Sequence, residues 1–265
     1  MNAVANAGRI FVFGGATSYR ALFNWVSPWI LIPSFLVAPI AQIALFAYLG
    51  RSAGIESDQY FVIGNALQYA AIPCLFAMAN TIGDERQQKT LGIILSTPAP
   101  RIPLFLGRAL PVIVNGWLVA LFSLVVGGWL FSIDVPASAY LPIALVSAVA
   151  SLSCTGLGLV AAALSLRVRE TAVLANVIFG ILLVFCGVNV PLSALPAWMV
   201  SVAQWLPMTH AIAAARALAD GVPLGDLRGD VLAEIRVGVL YVVIGMSMLS
   251  FFEWESRRRA TLELF

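Results

Sequence analysis

The sequence predicts an all-α, polytopic membrane protein with six transmembrane helices. Hydrophobic residues make up 61% of the chain and charged residues only 11%, whereas soluble domains typically contain about 25% charged residues. The charged residues also cluster in short connections between long apolar runs. A water-soluble globular protein is therefore excluded, and the net charge of +2 gives no indication of nucleic-acid binding.

The chain reads as a single transmembrane domain over residues 1–265. Residues 1–27 are too polar and too interrupted by glycine to span, and they predict an amphipathic interfacial helix, with a tail as the alternative. They lack the small-residue cleavage site of a signal peptide. The other segments follow in order: 28–83 for spans 1 and 2, 84–103 for a cytoplasmic coupling region, 104–190 for spans 3 to 5, 191–230 for a hairpin, 231–253 for span 6 and 254–265 for a cytoplasmic tail.

Each predicted span is an apolar run near the length of about 20 residues that a membrane helix requires. The runs are 29–49, 60–82, 109–131, 140–166, 171–190 and 231–252. Pro33 and Pro39 in the first run, and Pro73 in the second, predict bends. In the fourth run, Ser147, Ser151, Thr155 and Ala150, Cys154, Gly158 repeat small residues at four-residue spacing, which favours close helix packing.

Residues 191–230 contain two apolar segments, 196–205 and 209–218, each about half the length needed to cross a bilayer. Prolines bound both segments, so we expect an extracytoplasmic re-entrant hairpin, which protein or a water-filled cavity must shield. The candidate outer gate comprises Pro191, Pro196, Trp205, Pro207, His210, Glu234 and Arg236. His210 is interpreted as an interfacial helix cap rather than a pH switch, and Glu234 and Arg236 as charges that snorkel at a span end rather than line an exit path.

The basic residues indicate the orientation of the six predicted spans. An even number of spans puts both termini on one face, which carries eleven basic residues against four on the other. The first set is Arg9, Arg20, Arg86, Lys89, Arg101, Arg108, Arg167, Arg169 and Arg257 to Arg259, and the second is Arg51, Arg216, Arg228 and Arg236. Because cytoplasmic loops are enriched in basic residues, we expect cytoplasmic termini in the inner (plasma) membrane and an outward-facing hairpin.

The sequence offers no catalytic residues and no metal site. Its one lysine, Lys89, lies in QQKTLG and not in the glycine-rich loop that cradles nucleotide phosphates, so no ATP or other cofactor site is expected in this chain. The three cysteines each sit alone in a different apolar run, which indicates packing rather than a disulfide or a metal cluster. No acidic residue is predicted at mid-span, which disfavours proton-driven transport.

Uncharged polar residues inside the runs are the candidate substrate path. They are Gln42, Asn65, Gln68, Asn115, Asn176 and Asn189. The alternative is that these amides hydrogen-bond neighbouring helices, which is the commoner use of such groups in membranes.

The stretch 82–108 joins a dense group of charges to a short apolar helix from Leu91 that ends before Pro98. We interpret it as the surface that a soluble partner grips, with an apolar patch and polar contacts that fix register; a solvated charge run is the alternative. The candidate coupling residues are Glu85, Arg86, Lys89, Thr90, Leu91, Ile94, Leu95, Thr97, Pro98 and Arg101.

This stretch resembles the segment after the second span in permeases of ABC type-2 exporters. The similarity lies in Glu85-Arg86, Lys89-Thr90-Leu91, Leu95-Ser96-Thr97-Pro98 and Leu106-Gly107-Arg108, and in an outer stretch of Pro191, Leu195-Pro196, Trp205-Leu206-Pro207, His210 and Arg216. The resemblance implies two permease chains, identical or homologous, with two cytoplasmic ATPase subunits that bind ATP and Mg. It also implies that the short helix fits into a cleft of the ATPase.

The resulting hypothesis is the permease subunit of an ATP-driven exporter that moves an amphipathic drug, antibiotic or lipid-like molecule. The small-molecule and multidrug branch is the better match, because the N-terminal stretch lacks the basic run of the polysaccharide branch. A permease for a lipid-linked glycan, a proton-coupled secondary transporter and a non-transporting membrane scaffold stay open as alternatives.

Overall fold

The computed structural model describes residues 33–54, 56–80, 101–168 and 170–259. Within these ranges the chain is helical and contains no strand, which confirms the predicted all-α class. The α-helices are α1 Ala38–Ala53, α2 Asp58–Ile72, α3 Arg101–Leu130, α4 Tyr140–Leu164, α5 Thr171–Phe185, α6 Ala197–Ala203, α7 Thr209–Ala219 and α8 Arg228–Arg259. The predicted interfacial helix over 1–27 lies outside the described residues.

Proline marks a change of helical type in the first two predicted spans. A π-helical turn over Pro33–Val37 leads into α1, and another over Pro73–Ala77 follows α2. A proline has no amide hydrogen to donate to the preceding turn, and the missing bond accounts for a local change of helical pitch. The helix of the second span continues to Asn80.

Four helical stretches in the described residues are long and apolar enough to cross a membrane. They are Asp58–Asn80, Gly107–Leu130, Ala137–Leu164 and Arg228–Phe252. The fifth predicted span, 171–190, is longer than the observed helix, because α5 ends at Phe185 and residues 186–190 are not helical. Gly187 has a φ of +72°, in the left-handed region that favours glycine, and this turns the chain out of the helix.

Helix α4 is the centre of the fold. It packs against α2, α3, α7 and α8, and its interface with α8 is the most extensive in the described part of the chain. The small residues predicted to pack on this helix are indeed buried. A Cβ added to Gly156 of α4 would lie 2.8 Å from the carbonyl oxygen of Gly238 in α8, so the two backbones meet there without an intervening side chain.

The close approach of α4 and α8 predicts that Gly156→Leu destabilises the protein. We expect a loss of about 2 kcal/mol in the free energy of unfolding, because the new side chain must force the two helices apart. Thermal unfolding of the detergent-purified protein measures the effect. Gly180→Leu is the matched control, since a Cβ at Gly180 meets nothing within 4 Å, and equal stability of the two variants would contradict this packing.

Candidate functional site

Arg216 of α7 ties the start of α2 to the non-helical segment 186–190. Its Nη1 donates to the Gly187 carbonyl at 2.8 Å, and its Nη2 donates to the carbonyls of Tyr60 and Val188, each at 3.0 Å. The guanidinium carbon lies 3.4 Å from the centroid of the Tyr60 ring, and the Tyr60 hydroxyl donates to the Gly187 carbonyl at 2.7 Å. These four residues, Arg216, Tyr60, Gly187 and Val188, form what we call the Arg216 clamp.

The Arg216 clamp is a half-buried cation held by carbonyl dipoles and an aromatic ring. An arginine guanidinium is not deprotonated in proteins, so it carries a positive charge here. No carboxylate lies within ion-pair distance of it in the described residues. The fit also requires Gly64 of α2, because a Cβ there would lie 2.5 Å from Arg216 Nη2 and 2.6 Å from the Val188 carbonyl oxygen.

Glu234 of α8 caps the helix that carries Arg216. Its Oε1 accepts from the backbone N–H of Met208 at 2.7 Å and from the Ser153 hydroxyl of α4, and its Oε2 accepts from the N–H of Ala211 at 3.1 Å. These N–H groups belong to the first turn of α7, where a helix has unpaired donors and a partial positive charge. One carboxylate therefore joins α4, α7 and α8.

The position of Glu234 corrects the prediction that it snorkels at a span end. Its exposed fraction is 0%, and its partner Ser153 lies near the middle of α4. An acidic side chain is thus buried inside the helix bundle, where the sequence predicted none. Arg236, two residues later, is exposed and donates to the carbonyl of Leu232, as expected for a charge at the surface of the bundle.

His210 does not cap the start of α7, because Glu234 occupies that role. The His210 Nε2 lies 3.1 Å from the carbonyl oxygen of Gln204, and Nδ1 lies 4.0 Å from a carboxylate oxygen of Asp230. The imidazole therefore bridges the turn before α7 to the start of α8. The start of α7 is capped by a side chain, as predicted, but the capping residue is Glu234 and not His210.

Four of the predicted path residues come together in one hydrogen-bonded group, which we call the amide cluster: Gln42, Asn65, Gln68 and Asn189. The Gln42 Nε2 donates to Asn65 Oδ1 at 2.9 Å and to Gln68 Oε1 at 3.0 Å. The Asn65 Nδ2 donates to Asn189 Oδ1 at 2.8 Å and to the Phe61 carbonyl at 2.9 Å. The cluster joins α1, α2 and the segment 186–190, which the Arg216 clamp also holds.

The other two predicted path residues do not join the amide cluster. Asn176 of α5 is exposed and donates to the carbonyl of Ala172 in its own helix. Asn115 of α3 is half-buried, with no hydrogen bond to the four cluster side chains within the described ranges. The cluster is thus the part of the predicted path with a defined geometry.

The prolines of the outer gate mark helix boundaries, and its one tryptophan, Trp205, lies after α6. Pro196 precedes α6, and Pro191 precedes a 3₁₀ turn over Leu192–Ala194. The Pro207 carbonyl accepts from the Cys186 thiol at 3.3 Å, so the turn before α7 contacts the end of α5. Trp205 is 65% exposed. Both half-length segments of the sequence prediction are therefore helices, α6 and α7.

The candidate coupling residues from Glu85 to Pro98 lie outside the described residues. Arg101 is the first residue of α3, and its side chain also lies outside the described part. Their assigned role stays a prediction from the sequence.

Ser153 and Tyr60 belong to the site and were missed by the sequence analysis, and Arg216 was noted only for its charge and its place in the resemblance. Arg216 carried a recognisable signal, because it is an arginine within the short apolar segment THAIAAARALA. A charged residue in such a segment needs internal partners. Ser153 had no such signal, since it lies among other small residues of α4 whose hydroxyls bond their own helix.

Comparison with known proteins identifies one family and one set of relatives. The family model described as "ABC-2 type transporter" matches residues 16–219. Two curated relatives, from Escherichia coli K12 and Escherichia coli O157:H7, carry the name "Probable multidrug ABC transporter permease YbhR". Each is 25% identical over 153 residues, which are 54% of this chain and 41% of the relative. The chain thus matches less than half the length of these relatives.

The burial of Glu234 predicts that Glu234→Gln weakens the fold. The amide NH₂ would face backbone N–H donors, so one of them loses its acceptor, and we expect a loss of about 2 kcal/mol in the free energy of unfolding. Thermal unfolding in detergent measures it. Arg236→Gln is the control on the same helix and should change stability by less than about 0.5 kcal/mol; a Glu234→Gln variant as stable as this control would show that the cap contributes nothing.

Proposed function

We propose, because this chain belongs to the ABC-2 type transporter family, that it is the membrane permease of an ATP-driven exporter. The single observation that carries the proposal is the family match over residues 16–219, which includes the predicted coupling stretch and most of the helical bundle. Permeases of this family are transmembrane subunits without an ATPase site of their own and associate with an ABC ATPase. ATP and Mg would be bound by that partner, in two copies beside two permease chains.

The proposed topology has six crossings with both termini in the cytoplasm. Four described helices are long enough to span, and residues 33–53, with the π-helical turn included, would extend about 30 Å. Helix α5, with 15 residues, extends only about 22 Å. In our proposal the segment 186–190 completes the fifth crossing, since non-helical backbone at membrane depth is tolerated where protein satisfies its polar groups. The Arg216 clamp supports this proposal.

Contacts at the two ends of the bundle support the proposed topology, in which the loop after α4 and the end of α8 lie on one face. Arg167, in the predicted cytoplasmic loop after α4, pairs with Glu255 near the end of α8, and its guanidinium lies 4.6 Å from the ring centroid of Phe252. At the other end, Gln59 donates to Asp220, after α7, at 2.7 Å. The proposed location is the inner (plasma) membrane, with α6 and α7 as an outer re-entrant hairpin.

The proposed substrate is an amphipathic small molecule, since the similar Escherichia coli proteins are named as multidrug permeases. Alternating access would carry it past the amide cluster toward the hairpin. A proton-coupled secondary transporter is the second candidate, because Glu234 is a carboxylate inside the bundle. The three hydrogen-bond donors to Glu234 suit a fixed helix cap better than a proton relay. Transport that a protonophore abolishes while ATP remains would favour this second candidate.

The coupling role predicts that Leu91→Asp with Leu95→Asp separates the permease from its ATPase. Each leucine would lose about 2 kcal/mol of burial, so we expect binding of the ATPase to weaken at least about a hundredfold. Co-purification and ATP-dependent efflux measure the loss.

Leu91→Met with Leu95→Met is the matched control for this double variant, because methionine keeps the apolar surface. Membrane insertion of both variants should equal that of the wild type. Efflux that survives the two aspartates would contradict the coupling role.

A further inference from the structure

We propose that the amide cluster, together with Arg216, recognises a hydrogen-bond-accepting oxygen, such as a carbonyl or an ether, on an otherwise apolar molecule. The assignment rests on the proposed function to the extent that this molecule is the exported substrate. It is based on buried hydrogen-bond donors that have no acceptor in the described residues.

Three of the four amide oxygens in the cluster accept a hydrogen bond from a cluster nitrogen. They are the Oδ1 of Asn65, the Oε1 of Gln68 and the Oδ1 of Asn189. The Gln68 Nε2 and Asn189 Nδ2 are buried and donate to no acceptor within the described part of the chain. The buried cluster atoms that lack a partner in the described residues are therefore both amide nitrogens, which are donors.

The Arg216 clamp contributes a third buried donor without an acceptor in the described ranges. The Arg216 Nε is also buried and has no acceptor in the described residues. Its guanidinium binds the carbonyl of Val188, which directly precedes Asn189, so a positive charge borders the cluster. Buried donors beside an unpaired cation favour an electron-rich oxygen and disfavour a cationic ligand.

The burial pattern indicates the side from which a ligand reaches the cluster. Asn65 and Gln68 are 0% exposed, whereas Gln42 of α1 and Asn189 are half-buried. The ligand oxygen would therefore pass between α1 and the segment 186–190. Amide donors on these flanking elements would bind an oxygen but give little selection among apolar skeletons, which suits a permease with varied substrates.

Thermal unfolding of the full chain in lipid nanodiscs tests the assignment, with a thiol-reactive dye that reports exposure of the three buried cysteines. The probes share a diphenyl skeleton: benzophenone has a carbonyl, diphenylmethane has no oxygen, and diphenylmethanamine is a cation at neutral pH. We expect benzophenone to raise Tm more than either other probe. Photolabelling by benzophenone should also map to α2 and residues 186–190.

Gln68→Met removes one of the two cluster donors that are unused in the described residues, while Gln42 keeps its bond to Asn65. We expect it to reduce the carbonyl-dependent rise in Tm and to lower photolabelling about tenfold, the value of one hydrogen bond. If this variant fails to fold, Gln68→Glu serves the same purpose, since it keeps an oxygen for Gln42. Asn176→Leu, on the exposed face of α5, is the control and should behave as the wild type.

Equal Tm shifts for benzophenone and diphenylmethane, or unchanged labelling of the Gln68 variant, would overturn the assignment and leave the cluster as a link between helices. The assay contains no ATPase, so its failure counts against this site and not against coupling. Conversely, efflux that does not depend on ATP would refute the proposed function and leave a carbonyl-selective binding site intact.

Discussion

The backbone carbonyls of residues 186–190 need hydrogen-bond donors from other parts of the chain. The packing of α2 and α7 around this segment depends on that requirement. A helix satisfies its own carbonyls, but this segment leaves the helix at Phe185 and needs other donors. Arg216 and Tyr60 supply them through the carbonyls of Gly187 and Val188. A guanidinium suits this task, because its fixed fork of donors reaches several acceptors at once and keeps its charge when buried.

The Arg216 clamp holds only if α7 itself is fixed, and Glu234 fixes it. The carboxylate pairs the first-turn donors of α7 and the hydroxyl of Ser153, so α7 is attached to α4 and α8 at its start and to α2 through Arg216. The amide cluster extends the same polar contacts to α1. A displacement of α7 would thereby be transmitted to four longer helices, and such a link would serve the proposed function.

The sequence predicted the features that depend on local pattern. The helical class and the two half-length helices follow from apolar run length, and the irregular helical turns at Pro33 and Pro73 lie where proline predicted bends. Two features depend on distant contacts and were predicted wrongly. Residues 186–190 contain no proline and were predicted to continue the fifth span, but the chain leaves the helix at Gly187, and Arg216, 29 residues later, binds the Gly187 carbonyl. In the sequence, Glu234 resembles a surface charge beside Arg236. In the fold, α7 packs against Glu234 and buries it.

The central claim is that Arg216 holds the segment 186–190 in place, and Cys186 reports on it directly. The thiol is buried, as are those of Cys74 and Cys154, which serve as internal controls. Labelling with N-ethylmaleimide, followed residue by residue with mass spectrometry, measures access to each thiol. We predict that Arg216→Gln accelerates labelling of Cys186 by at least about tenfold while the other two cysteines stay unreactive. Labelling of Cys186 as slow as that of Cys154, or equal acceleration at all three, would contradict the account.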